Sequence, residues 1–380
     1  MQADSRSHFN FLIDYGYEEV QMRVYNFNPG PATLPLPVLE KVQSELLDWN
    51  HSGMSVMEVS HRSSQFMDML AEVKANFRAI SGLSDEHEVL FCQGGASQQF
   101  AMLPMNLAKT GVASYAVTGS FAKKAAAEAK KYTSVHIASD SSDRKFAYIP
   151  AISAADIAPN SSYLHICTNN TIYGTSYRDR IPQCGDVPLI ADMSSNILSE
   201  PLDYNQFSMI YAGAQKNLGP SGLTILVIKK ELLGEPAFAA TPTMLQYKTF
   251  GDNDSLYNTP PTFAIYVTGL VLKWIGEMGG LQGVGEKNRE KARLLYDALD
   301  ASKLFKGTAD AADRSIMNVT FVSADEQTDA DFIKGATEKG LIGLKGHRAA
   351  GGMRASIYNA MPIDGVKALV AYIQEFEASR

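Results

Sequence analysis

The chain has 380 residues, 45% hydrophobic and 20% charged, enough apolar material for one large domain with a smaller companion. Its formal net charge of −7 leaves no basic stripe to neutralise phosphates, which excludes a nucleic-acid-binding surface. Three cysteines at unrelated spacings, Cys92, Cys167 and Cys184, offer no metal or disulfide framework and suit a reducing cytoplasm, and no apolar run approaches the ~20 residues of a membrane helix.

Residues 1–21 lack the basic start and the long apolar stretch of a signal peptide. They read as an extension outside the core, with Met22 as the natural start; a natural arm packing on a partner subunit is the alternative. A folded pattern begins with Met22-Arg23-Val24-Tyr25-Asn26-Phe27. Helices are predicted over Leu36–Trp49 and Ser64–Ile80, the second closed by Ser81-Gly82. A strand over Glu88–Cys92 enters a glycine turn, and a helix follows over Gln98–Leu107. Next come a strand at Val112–Thr118, a helix at Ala122–Lys131, a strand at Ser134–Ala138 and a polar loop at Ser139–Lys145. Four further apolar strands, Tyr163–Thr168, Pro188–Ala191, Met209–Ala212 and Thr224–Ile228, complete an alternation of strands and helices. That alternation predicts an α/β architecture with a mainly parallel sheet of seven strands.

Beyond Pro261 the pattern changes. Helices are predicted at Phe263–Met278, Asn288–Ala301, Asp329–Lys339 and Pro362–Phe376, with strands at Ile316–Val322 and Arg354–Tyr358. This is a smaller α+β domain. The expected division is an extension at 1–21, a large domain at 22–280 whose opening residues pack with the small domain, and a small domain at 281–380.

The motif M-I-Y-A-G-A-Q-K-N-L-G-P over Met209–Pro220 places Lys216 in a turn at the mouth of a buried strand. Burying an unpaired ammonium is costly. A desolvated lysine has a lowered pKa, and its neutral amine forms a Schiff base with a carbonyl. Upstream, V-P-L-I-A-D ends another strand on Asp192. A reactive lysine with an acid for a pyridinium nitrogen is the pairing that pyridoxal phosphate requires of a protein. Taken singly, either residue also reads as an ordinary turn or cap. The turn Gln93-Gly94-Gly95-Ala96-Ser97 supplies a third part, since small residues and a helix N-terminus present free N–H groups to a phosphate. It has neither G-K-[ST] nor G-x-G-x-x-G, so it is not a nucleotide loop. Phe121, just past a strand end, offers a stacking face, although a core phenylalanine would look the same. His61-Arg62 and His347-Arg348, with Arg354, are candidate anion holders in an otherwise acidic chain.

These blocks resemble the phosphoserine aminotransferases, in the class V group of fold-type-I pyridoxal phosphate enzymes. The likeness runs from about Tyr25 to the C-terminus. It rests on N-F-N-P-G-P-A at 26–32, S-V-M-E-V-S-H-R at 55–62, Q-G-G-A-S-x-Q-F at 93–100 and A-D-M-S-S at 191–195. It continues with Y-A-G-A-Q-K-N-L-G-P at 211–220, Y-N-T-P-P-T-F at 257–263, K-G-H-R at 345–348 and G-G-M-R-A-S-I-Y-N-A-M at 351–361.

The resemblance implies that Lys216 bonds the cofactor and Asp192 pairs with its ring nitrogen. Ala96, Ser97 and Gln215 would hold the cofactor phosphate, and Thr171 would meet the ring's 3-oxygen. Asn258 and Thr259 would reach the phosphate of a neighbouring subunit, making a homodimer with shared sites. Arg354 would hold the substrate α-carboxylate, and His61, Arg62, His347 and Arg348 the distal phosphate or carboxylate. No metal is implied. Two departures stand out: Phe121 replaces a tryptophan of many relatives, and Ala96-Ser97 stands where some carry an arginine.

The implied activity is amino transfer between L-glutamate and 3-phosphohydroxypyruvate in serine biosynthesis. The related phosphorylated four-carbon substrate of vitamin B6 synthesis, giving 4-phosphohydroxythreonine, is a further expectation. The alternatives are another class V aminotransferase, such as a serine–glyoxylate aminotransferase, or a catalytically silent pyridoxal phosphate binder. A cysteine desulfurase would need a nucleophilic cysteine in the C-terminal part, where this chain has none.

Overall fold

Short apolar strands separated by helices build a central seven-stranded sheet in the structure, a computed structural model that describes residues 23–380. The expectations for residues 1–21 and for a start at Met22 lie outside the described residues. Across the sheet the strands are ordered His87–Cys92, Thr224–Lys229, Met209–Gly213, Leu189–Asp192, Leu164–Cys167, Val112–Val117 and Ser134–Asp140. Thr224–Lys229 is antiparallel to both its neighbours, and every other pairing is parallel. The other strands therefore share one direction, and their C-terminal ends open on one edge. In an open α/β sheet that edge is where a ligand site forms.

Alternate residues of each strand feed two cores, as a period of two requires. Ile210, Ala212, Ile225 and Val227 join Phe66, Leu70, Val73 and Phe77 of the helix Ser64–Ser81 and Ile265, Leu272 and Ile275 of the helix Thr262–Glu277. Met209, Tyr211, Leu226 and Ile228 face Phe100 and Leu103 of the helix Gly95–Leu107 and Ala125 and Ala129 of the helix Ser120–Ala129. With both faces covered, the inner strands read as continuous apolar runs.

A third cluster gathers around the antiparallel strands Lys306–Gly307, Asn318–Val322 and Met353–Ser356. The helices Gly280–Ala301, Glu326–Glu338 and Ile363–Ala378 cover it, with Phe305, Phe321, Phe332 and Phe376 in mutual ring contact. Tyr25–Asn26 pairs in parallel with Leu341–Ile342, so the first described strand joins this layer. No helix among the described residues is long and apolar enough to cross a membrane.

Several elements differ in extent from the sequence reading. The helix predicted from Asn288 begins at Gly280, because burial of Val284 and Asn288 outweighs the poor helical propensity of glycines 280, 283 and 285. The helix predicted from Gln98 begins at Gly95, directly behind the left-handed Gly94. The first helix stops at Glu45, and a separate 3₁₀ turn carries Trp49. The strand expected to end at Ala138 runs on to Asp140. The pairings of Tyr25–Asn26 and of Asn169–Asn170 with Thr175–Ser176 have no signal in their own short segments.

Candidate active site

Lys216 follows the strand Met209–Gly213 at the open edge, in a turn closed by Leu218 and Gly219 N–H groups donating to the Ala214 carbonyl. The Ala32 N–H donates to the Gln215 carbonyl at 2.9 Å, which brings the Asn26–Ala32 loop against the lysine. Gly30, at φ +145°, comes so close that a Cβ there would sit 3.3 Å from Lys216 Cγ. The lysine stem keeps some exposed surface, but its amine is enclosed by protein and donates to Thr171 Oγ1 at 2.7 Å. Burial pulls its pKa down to about 8, against the opposing pull of Asp192. The same nitrogen lies 5.3 Å from the Phe121 ring centroid.

Asp192 ends the neighbouring strand, in register with Cys167 on one side and Tyr211 on the other. Its carboxylate accepts the Ser194 N–H at 2.9 Å and faces the Cys167 thiol at 3.9 Å. Among the described residues it forms no ion pair, and burial raises its pKa while Ser194 and Lys216 oppose the rise. A buried carboxylate without a cation fits the protonated nitrogen of a pyridine ring.

Past Cys92 the chain turns through Gly94 at φ +86° and Gly95 at φ +64° into the helix Gly95–Leu107. A Cβ on Gly94 would lie 2.6 Å from Gln98 Cβ, and with φ at +86° the position strongly favours glycine. Among the described residues no side-chain cap bond is formed at this helix start, whose first turn holds Ala96 and Ser97 and leaves backbone N–H groups without an intrahelical partner. Such a start suits an anionic group of a cofactor. Gln93 Nε2 donates to the Thr259 carbonyl at 3.4 Å, placing the exposed Asn258 and Thr259 beside this turn.

Arg354 reaches the same edge from the strand Met353–Ser356. It is only 5% exposed, has no carboxylate partner among the described residues, and leaves Nε without a hydrogen bond. Nη1 donates to the Thr171 carbonyl at 3.3 Å. Thr171 thus touches both Lys216 and Arg354. His347 lies in the field of Arg354, Arg348 and Lys124; burial first, then these charges, lower its pKa. Arg348 is exposed. Among the described residues the buried His61 Nε2 has no hydrogen-bond partner and no hydrogen bond joins His61 or the exposed Arg62 to the Lys216 group.

Three neighbours of the site escaped the sequence reading as contributors. Cys167 figures in the sequence only as one of three cysteines with no metal or disulfide framework, and its approach to Asp192 follows from strand register. Gly30 was quoted only within a motif. Lys124, one helical turn on from Phe121, holds its ammonium 5.5 Å from that ring; the i, i+3 spacing was the available signal.

The family model for class-V aminotransferases matches residues 24–369. A phosphoserine aminotransferase of Bacillus cereus is 55% identical over 356 residues, covering 93% of this chain and 98% of that protein. One from Nitrosomonas europaea is 49% identical over 362 residues, with the same coverage. The solved phosphoserine aminotransferase from Bacillus circulans subsp. alkalophilus superposes with a TM-score of 0.92 at 49% identity, covering 95% of this chain and 100% of its own. The pyridoxal-phosphate-bound enzyme from Trichomonas vaginalis gives a TM-score of 0.88 at 36% identity, covering 93% and 100%.

Proposed function

The chain belongs to the class-V aminotransferase family, and from that premise we infer that it is a pyridoxal-phosphate-dependent phosphoserine transaminase. One observation supports the site assignment above all. A buried amine and, among the described residues, a buried carboxylate and a buried guanidinium that each lack an ion-pair partner converge on one sheet edge. Each lacks a group that the cofactor or the substrate carries.

We propose that the amino donor is L-glutamate and the acceptor 3-phosphohydroxypyruvate, with cytoplasmic residence. When bound, pyridoxal phosphate supplies an electron sink and carries the amino group between the two substrates. Lys216 would hold the cofactor, and its amine, whose pKa burial lowers, would be the base for the proton at the substrate Cα. Asp192 would stabilise a proton on the ring nitrogen. Ala96, Ser97 and Gln215 would hold the phosphate and Phe121 would offer a stacking face, while Thr171 orients the lysine. Arg354 takes the α-carboxylate in charge-assisted bonds, and His347 and Arg348, with His61 and Arg62, take the distal anion. Asn258 and Thr259 reach the neighbouring subunit's cofactor phosphate in a homodimer, which sedimentation of the holoenzyme tests.

The deciding experiment is an absorbance titration of the purified holoenzyme. Glutamate is expected to bleach the visible band of the Lys216-bound cofactor. Then 3-phosphohydroxypyruvate is expected to restore it where equal hydroxypyruvate does not. Restoration by the unphosphorylated acid alone would overturn the substrate assignment.

A further inference from the structure

Lys291 lies in the middle of the helix Gly280–Ala301, is only 2% exposed, and forms no ion pair among the described residues. Its three N–H groups instead serve four backbone carbonyls, one N–H being shared: Ile357 at 3.0 Å, Tyr358 at 2.7 Å, Met361 at 3.1 Å and, at the longest, Asn359 at 3.4 Å. All four belong to the turn that leaves the Arg354 strand. Burial lowers the lysine pKa to about 7, while convergent carbonyl dipoles favour its charged form.

The turn held by Lys291 contacts the surroundings of Lys216 in two further places. The Asn359 N–H donates to Asn217 Oδ1 at 3.0 Å, directly beside Lys216 in the chain. The Tyr358 hydroxyl donates to the Pro29 carbonyl at 2.8 Å, in the loop whose Gly30 abuts the Lys216 stem. Asn217 is itself tied to the Ile197 carbonyl, and Asn359 to the Leu198 carbonyl and Asn288. One turn therefore borders the reactive lysine, its Gly30 wall and the strand of the carboxylate-binding arginine.

We propose that Lys291 is a positioning residue for the transamination, acting through the 357–361 turn on Lys216 and Arg354 together. It touches neither substrate nor cofactor in this assignment. Four carbonyls directed at one point repel one another unless a cation joins them, so the turn's geometry depends on the Lys291 charge. The inference rests on the activity proposed above; wild-type turnover tests that activity, and the variants test the positioning.

The test compares Lys291→Met, Asn217→Ala and the double variant as cofactor-loaded proteins. Three quantities are read: kcat, the pH midpoint of the visible cofactor band, and the ratio of turnover with phosphorylated over unphosphorylated acceptor. Lys291→Met is expected to lower kcat by about 100-fold, the scale of a small misplacement of reacting groups, and to shift the band midpoint. The acceptor ratio is expected to stay unchanged, because the turn's hydrogen bonds run to Asn217, Pro29 and Leu198 and, among the described residues, to none of the proposed distal-anion residues. The double variant is expected to lose less than the product of the single losses, since both act through Asn359. A Lys291→Met protein with wild-type kcat and band midpoint, changed only in melting temperature, would overturn the proposal. If that variant does not fold, Asn217→Ala decides: a shifted midpoint supports the path through Asn359, and an unshifted one sinks it.

Discussion

Thr171 joins Lys216 to Arg354: its hydroxyl accepts the lysine Nζ–H at 2.7 Å, and its carbonyl accepts a guanidinium N–H at 3.3 Å. The residue stands in the turn between Asn169–Asn170 and Thr175–Ser176, a hairpin just beyond the strand Leu164–Cys167. One short loop thus sets the spacing between the Lys216 amine and the Arg354 guanidinium, the two groups proposed to move the Cα proton and to hold the substrate carboxylate.

Replacing Thr171 by valine keeps the shape and removes the hydroxyl acceptor. A hydrogen bond to a charged group contributes about 1.5–3 kcal/mol, so kcat is expected to fall roughly ten- to a hundredfold. Steady-state kinetics, with the visible band recorded across pH, checks this. A valine variant with unchanged kcat and an unchanged band would remove Thr171 from the mechanism.

The lowered pKa of Lys216 has two pH signatures in the cofactor-free protein. Only the neutral amine attacks a carbonyl, so covalent capture of pyridoxal phosphate is expected to accelerate with pH and level off above about 8. The folded value lies below the ordinary lysine value of 10.5, so between about 8 and 10.5 the unfolded chain binds more protons. The contribution of Lys216 to stability therefore rises with pH across that window. Denaturant melts of the apoprotein and of Lys216→Met are expected to show the variant ahead at pH 7 and the gap closing by pH 10.5.

In the proposed assignment Arg354 takes the carboxylate that both substrates share. Arg354→Gln is expected to raise KM for glutamate and for the phosphorylated keto acid alike, each by roughly 10- to 100-fold, given about 1.5–3 kcal/mol per charge-assisted bond. A variant that loses only the phosphorylated substrate would reassign this arginine to the distal anion.

Gly94 combines φ +86° with a Cβ position only 2.0 Å from Gln98 Oε1. Gly94→Ala is expected to cost about 1–3 kcal/mol of stability from backbone strain and to weaken pyridoxal phosphate binding, as read by thermal melts and a fluorescence titration. Full retention of cofactor affinity would remove the turn from the phosphate cradle.

Much of this was legible in the residues alone. The apolar runs ending at Asp192 and Gly213, the lysine three residues past the second, and the glycines after Cys92 are local patterns, and local pattern encodes which face is buried and where a strand stops. The resemblance then attached roles to Arg354 and His347 by position. Helix starts at Gly95 and Gly280 were misjudged because glycine weakens the local signal where packing decides the outcome.

The sequence by itself determined the alternation of elements, the burial of the two reactive residues and the family. Only the tertiary structure decided who their neighbours are. Thr171 lies 45 residues from Lys216 and 183 from Arg354, and Lys291 is 66 to 70 residues from the carbonyls that it holds. Such contacts depend on strand order and register, which arise from the simultaneous packing of several elements and leave no periodicity in any one segment.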